Sequence, residues 1–189
     1  MDSVLVVAVE KSIDAIVELL RSQYRDARIT AAGSGSKARR LLLETGYDIV
    51  IISAPLPDEN GVELAVETAA GSEAGVVLLI KAEFAEEIAA KVEDYGVFVV
   101  EKPLHKPFFF RALRLVYASG RRLKGLKNEK TRLQDRIEEI RLVDRAKCVL
   151  IQYLNLTEPQ AHRYIEKQAM DMRLNKKEIA LGILKTYEA

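Results

Sequence analysis

The chain has 189 residues, 49% hydrophobic and 30% charged, enough apolar matter for one large core or two small ones and too much for a disordered chain. No run approaches the roughly eighteen apolar residues of a membrane-crossing helix. The opening MDSVLVVAVEKSID has no basic segment ahead of its apolar run, which argues against a signal peptide. A single cysteine, Cys148, excludes an internal disulfide framework and fits a reducing cytoplasm, and with only His105 and His162 beside it a thiolate–imidazole zinc site is not expected. The net charge of +1 conceals a division. Residues 1–104 hold ten Lys and Arg against eighteen Asp and Glu, net −8, and residues 105–189 hold nineteen against ten, net +9. An acidic module is followed by one suited to a polyanion.

In chain order, residues 4–9 predict a buried strand and residues 12–25 a helix with Ile13, Ile16, Val17 and Leu20 on one face. A strand over 28–32, a helix over 36–45 and a continuous apolar strand over 48–53 follow. Then come a helix over 61–70, a strand over 76–80, a helix over 83–93 and a strand over 97–100. The glycine-rich Gly33-Ser34-Gly35-Ser36 lacks the lysine of a phosphate-binding loop and reads as a strand-to-helix turn. Five apolar runs separated by helices imply an α/β fold, a doubly wound five-stranded parallel sheet over residues 1–118.

Residues 108–146 contain no proline and only Gly120 and Gly125, so a long helix is expected. Val116, Leu123 and Ile137 fit heptad position a, and Leu126, Leu133 and Ile140 position d, with Lys130 and Ser119 as flaws. This is a coiled-coil-type helix that predicts a homodimer through residues 116–140. In a parallel pair, however, Arg122 would meet Lys127 and Arg136 would meet Arg141, which repel. The alternative is a helix packed on its own chain. Residues 119–141 form the linker and residues 142–189 a small three-helix domain. Its helices are expected over 142–153, from the Thr157/Gln160 capping box to about Met172, and after the Asn175/Glu178 cap before Ile179, Ala180, Ile183, Leu184 and Tyr187. Cys148, Ala161, Ala169 and Met170 read as packed core positions.

The order of elements, the loop Leu56-Pro57-Asp58-Glu59-Asn60-Gly61 and the pair Lys102-Pro103 resemble the receiver domain of two-component response regulators, over residues 1–118. That resemblance implies an aspartate phosphoacceptor ending the third strand, an acidic magnesium-binding pair ending the first, a hydroxyl residue ending the fourth and a lysine ending the fifth. These types suit phosphoryl transfer: carboxylates hold the hard cation, while hydroxyl and ammonium groups meet the phosphoryl oxygens. Here Ser53 stands in the acceptor position and Ala8 and Val9 in the acidic pair, with Glu10 as the nearest acid. Lys81 replaces the hydroxyl residue, Val99 the usual aromatic, and Lys102 remains, with Pro103 expected in a cis bond. No aspartyl phosphate and no metal are expected at such a pseudo-receiver. Ser53 phosphorylation lacks metal ligands. Lys81 and Lys102 either bind an anion or small effector or are neutralised by Glu10 or Glu101, and the input comes from a regulatory protein or a small molecule.

The strings Arg145-Ala146-Lys147-Cys148-Val149-Leu150-Ile151, Leu156-Thr157-Glu158, Gln160-Ala161-His162-Arg163-Tyr164-Ile165 and Lys167-Gln168-Ala169-Met170-Asp171, continuing to Arg173 and Glu178-Ile179-Ala180, resemble the ANTAR domain. The resemblance implies a bacterial transcription antiterminator that binds paired stem–loops in nascent RNA and so prevents the terminator hairpin. RNA would be met by cations for phosphates and by stacking or edge hydrogen bonds for loop bases. The candidates are Lys147, Arg163, Lys167, Gln168, Arg173, Lys176 and Lys177, with Tyr164 and His162 placed to stack. Tyr164 can equally be core, and the charged residues can be an ordinary solvated face. The expectation is therefore a cytoplasmic RNA-binding regulator without cofactors, neither enzyme nor membrane protein. Its rivals are a DNA-binding response regulator and a protein-interaction adaptor.

Overall fold

In the computed structural model, which describes residues 1–187, β1 (Ser3–Val7) and β3 (Ile49–Ser53) lie side by side at the centre of a five-stranded sheet. The order is β2 (Arg28–Ala32), β1, β3, β4 (Gly75–Lys81), β5 (Val97–Lys102), and every neighbouring pair is parallel. Strand side chains alternate between the two faces. Val4, Val6, Ile49, Ile51, Val77 and Leu79 form one core with Ile16 and Leu20 of α1 (Glu10–Gln23) and Phe109 and Leu113 of α5 (Lys106–Leu154). Leu5, Val7, Val50, Ile52 and Leu78 form the other. It is covered by Ala38 of α2 (Gly35–Glu44), Leu64 and Ala65 of α3 (Val62–Gly71) and Val92 of α4 (Ala82–Val92). Burial on both faces is why these strands read as unbroken apolar runs. The first strand ends at Val7, so Ala8 and Val9 form the turn into α1, and the fifth runs on to Lys102. Lys102-Pro103 is cis, as expected, and so is Ala54-Pro55.

The chain divides into two compact units, Met1–Gly125 and Leu126–Ala189. Helix α5 is continuous over 49 residues, with no break at 142 where the sequence suggested a new helix. Val116, expected in the dimer seam, is instead 9% exposed within the first unit's core. It fills the space above Gly75, where an added Cβ would lie 2.4 Å from Val116 Cγ1. The rest of the seam, Leu123, Leu126, Leu133, Ile137 and Ile140, is exposed.

The second unit is built on Val143, Ala146, Val149 and Leu150 of α5, Ala161 and Ile165 of α6 (Glu158–Met172), and Ile179, Ala180 and Leu184 of α7 (Lys176–Tyr187). Both predicted caps are present. The Thr157 N–H donates to Gln160 Oε1 at 2.8 Å. The Asn175 N–H donates to Glu178 Oε2 at 2.9 Å while the Glu178 N–H donates to Asn175 Oδ1 at 2.8 Å. Two expectations fail. Met170 is 79% exposed, because it lies about half a turn from the Ala161–Ile165 row, and Cys148 is exposed rather than packed. Among the described residues no helix is long and apolar enough to cross a membrane.

Candidate functional site

At the carboxyl edge of the sheet, Ala8 is fully buried, Val9 is the N-cap of α1, and Glu10 opens that helix with its side chain exposed. Ser53 ends β3 at 6% exposure. The Lys102 ammonium donates to the Ala54 carbonyl and approaches Ser53 Oγ at 3.5 Å. Lys81 sits directly opposite Lys102 in the β4–β5 register, and its ammonium pairs with Glu83 at 3.4 Å. Neither lysine is neutralised by Glu10 or Glu101: Lys81 takes the acid of its own helix start, and Lys102 is satisfied by backbone and hydroxyl oxygens. Burial holds the Lys102 ammonium below the usual lysine range, and the charge of Lys81 pushes the same way. Among the described residues no cluster of His, Cys, Asp or Glu is arranged to hold a metal ion.

The loop over this edge is strapped to α2 by contacts that the sequence did not indicate. Asp58 accepts the N–H of Ser36 (3.0 Å) and Gly35 (2.9 Å) and the Ser36 hydroxyl (2.8 Å), which together hold its carboxyl down at about 2. It thus caps the start of α2 from a different loop, where negative charge is favoured. The Arg39 guanidinium pairs with Glu59 and, at 2.9 Å, with Glu67, and these acids hold it firmly charged. Gly35 leaves room for Glu59, whose Oε1 would lie 1.6 Å from any Cβ there. These contacts span twenty or more positions, so no local pattern announces them.

In the second unit the candidate cations divide into two groups. Lys147 lies between Asp144 and Glu158, both at 2.8 Å, and is 16% exposed. Lys176 pairs with Glu166 at 2.7 Å, which also meets His162 at 3.2 Å, and Lys177 pairs with Glu138 at 2.7 Å. Asp144 and then Glu158 raise the affinity of Lys147 for its proton, and Glu138 does the same for Lys177. By contrast, Arg163, Lys167 and Arg173 are exposed and, among the described residues, have no carboxylate partner. Arg163 and Lys167 are four residues apart and share the face of α6 turned away from Ala161 and Ile165. Tyr164, 40% exposed, stands beside them, which removes the reading of that ring as core. Gln168 is half-buried on the core side of the helix.

Arg173 ends α6 with φ 54° and ψ 36°, in the left-handed region that glycine normally fills. Its N–H donates to the Met170 carbonyl at 3.3 Å and the Leu174 N–H to the Ala169 carbonyl at 3.1 Å, a Schellman closure. The result is an exposed pair of cations beside an aromatic ring on α6, with a further exposed cation at the end of that helix, groups suited to phosphates and an unpaired base.

A model of the ANTAR domain matches residues 131–184. The transcriptional regulatory protein PdtaR of Mycobacterium tuberculosis is 30% identical over 172 residues, covering 90% of this chain and 83% of that protein. The nitrate regulatory protein of Klebsiella oxytoca is 36% identical over 72 residues, 38% of this chain and 18% of that protein. The solved CheY-like receiver domain protein of Methanospirillum hungatei JF-1 has the same fold as the first unit. Its TM-score is 0.57 at 12% identity, over 65% of this chain and 98% of that one. With a receiver-type sheet that lacks the acceptor aspartate, a helix running out of it, and a matched module at the end, the chain belongs to the ANTAR-domain response regulators.

Proposed function

We propose that this regulator is a transcription antiterminator that binds stem–loop RNA through the outer face of α6 and the α6–α7 turn. The segments act as a pseudo-receiver over 1–118, a linker over 119–141 and an RNA-binding module over 142–189, in a dimer joined through the exposed part of the linker helix. The observation that carries this reading is the exposed set Arg163, Tyr164 and Lys167 on the outer face of α6 together with Arg173 at its end, cations without carboxylate partners among the described residues. The remaining candidates have different parts. Lys147, Lys176 and Lys177 tie the three helices to one another through Glu158, Glu166 and Glu138, and Gln168 is half-buried on the core side of α6. Bound stem–loops would be withheld from the competing terminator hairpin.

The first domain then signals without aspartyl phosphate. Its acceptor position is a buried serine, Ala8 and Val9 stand in its metal-binding positions, and Lys102 at the end of its fifth strand is engaged with Ala54 and Ser53. Input arrives as a protein contact or a small ligand.

Gel-shift competition among a paired-hairpin RNA, duplex DNA and unstructured RNA tests the reading. We expect preference for the paired hairpins, affinity falling steeply with salt, and loss on Arg163→Ala with a flatter salt slope. Preference for duplex DNA, or binding indifferent to salt, refutes it. Acetyl phosphate with magnesium is expected to leave the protein's mass unchanged, and a stable aspartyl adduct would refute the second half of the proposal.

A further inference from the structure

Along α5 of the second unit, Leu126, Leu133, Ile137 and Ile140 are between 50% and 57% exposed and lie on one stripe, interrupted by Lys130. Leu123, 67% exposed, continues it by half a heptad. Resting on the dimer part of the proposed function, the occupant of this stripe is a second copy of the same helix, and the charges along it choose between its two possible directions.

A parallel pair brings each position a against its own copy. Lys130 would then face Lys130 within the apolar seam, and the flanks would set Arg122 against Lys127 and Arg136 against Arg141, twice each by symmetry. Every one of these contacts is repulsive. An antiparallel pair brings a against d. Centred between residues 131 and 132, it sets Leu123 opposite Ile140, Leu126 opposite Ile137, and Lys130 opposite Leu133, so that four of the five exposed apolar side chains of the stripe meet another and Leu133 meets the aliphatic stem of Lys130. The two Lys130 ammonium groups leave the shared layer and extend past Leu133 into water.

The flanks improve as well. Glu129 and Arg136 of the second copy lie two residues apart in height, about 3 Å of helical rise. Helical side chains lean toward their own N-termini, so in opposed helices these two lean toward each other. Arg136 now spans to Glu139 at 3.0 Å with its own side chain 68% exposed, so turning to Glu129 costs it no burial. Lys127 comes beside the neutral Gln134.

We infer that residues 123–140 pair antiparallel with the same stretch of a second copy, Glu129 of each bridging to Arg136 of the other. The two copies of Leu142 then stand about 30 Å apart along the pair. The RNA-binding modules would lie at opposite ends, suited to two hairpins held apart rather than to one element gripped from two sides.

The test uses the full chain with Cys148→Ser to remove the exposed native thiol. A Leu126→Cys chain and an Ile137→Cys chain of different mass are mixed in equal amounts, unfolded, refolded together and oxidised. Antiparallel pairing yields disulfide dimers containing one of each. Parallel pairing yields only like-with-like dimers and overturns the orientation while leaving the dimer intact. Sedimentation of the unmodified chain separates that failure from the other: a monomer at every concentration removes the dimer and this proposal together. Because cysteines in the stripe can themselves weaken pairing, a charge exchange provides a second reading. Glu129→Arg alone should weaken dimerisation roughly tenfold, through two lost and two repulsive contacts. Adding Arg136→Glu should restore it. No effect of the single change, or no rescue by the second, overturns the pairing.

Discussion

Arg173 performs two tasks that a substitution can separate. Its backbone is left-handed, which costs a side-chain-bearing residue about 1–2 kcal/mol. Its charge beside the C-terminus of α6 returns about 0.3–1 kcal/mol through the helix dipole. Arg173→Gly removes both terms and should stabilise the second unit by a net of about 1 kcal/mol. Arg173→Ala removes only the charge and should destabilise it by the dipole contribution. The two variants lose the same cation, so their affinity for hairpin RNA should fall equally, with the salt slope reduced by about 0.7–0.9. The stability assay is hydrogen exchange of the α6 and α7 amides in the full chain, because it reports opening of this unit separately from the sheet. Protection should rise about fivefold for Gly relative to the parent and fall for Ala. A glycine variant as weakly protected as the alanine variant would refute the backbone argument. Equal stability changes with an unaltered salt slope would refute the placement of Arg173 on the RNA surface.

Gly75→Ala should destabilise the first unit by about 1–3 kcal/mol, read from its urea midpoint, since its Cβ would collide with Val116; Val116→Ala should restore most of the loss. Ile165→Ala, emptying a side chain 1% exposed, should cost the second unit about 2–5 kcal/mol and abolish RNA binding at temperatures that leave the sheet folded. Asp58 titrates near 2 when folded against an ordinary 3.8, so the stability it contributes is complete above about pH 4 and is lost as pH falls toward 2. Asp58→Asn should therefore flatten the acid limb of stability in that window and leave it unchanged if Asp58 does not cap α2.

The sheet was legible because burial on both faces leaves each strand a run of β-branched and aliphatic residues, as in Ile49-Val50-Ile51-Ile52, with the ends displaced by at most two residues. Both caps of the second unit were legible because each is a reciprocal contact three residues long. What could not be read depends on partners distant in sequence. Val116 fits the heptad as well as Leu123 does, and only the gap above Gly75 decides that it belongs to the sheet. Met170 is a different case: its chemistry suits a core, but its angular position relative to Ala161 and Ile165 on the same helix puts it in solvent. The lysines of the second unit looked equivalent in a charge count. Which of them face water follows from acids eleven, ten and thirty-nine positions away. At the degenerate receiver edge the loss of carboxylates was plain from Ala8, Val9 and Ser53, but the strap through Asp58 and Arg39 was not.

That division of cations gives the RNA interface a measurable size. Pairing does not alter the net charge of the module, but it determines which ammonium and guanidinium groups can release counterions on meeting phosphate. Lys147, Lys176 and Lys177 would each have to abandon a carboxylate at 2.7–2.8 Å, so their gain from phosphate is offset by the acid left behind. Arg163, Lys167 and Arg173 abandon nothing. Three phosphate contacts per module predict a slope of log affinity against log salt of about −2 to −3, and recruitment of all six cations predicts about −4 to −5. The smaller slope is expected, with Lys147→Ala leaving it unchanged and Lys167→Ala reducing it by nearly one. A slope near the larger value, shortened by Lys147→Ala, would mean that the ion pairs open on binding, and the surface that grips RNA would then be a rearrangement of this module rather than the face it presents alone.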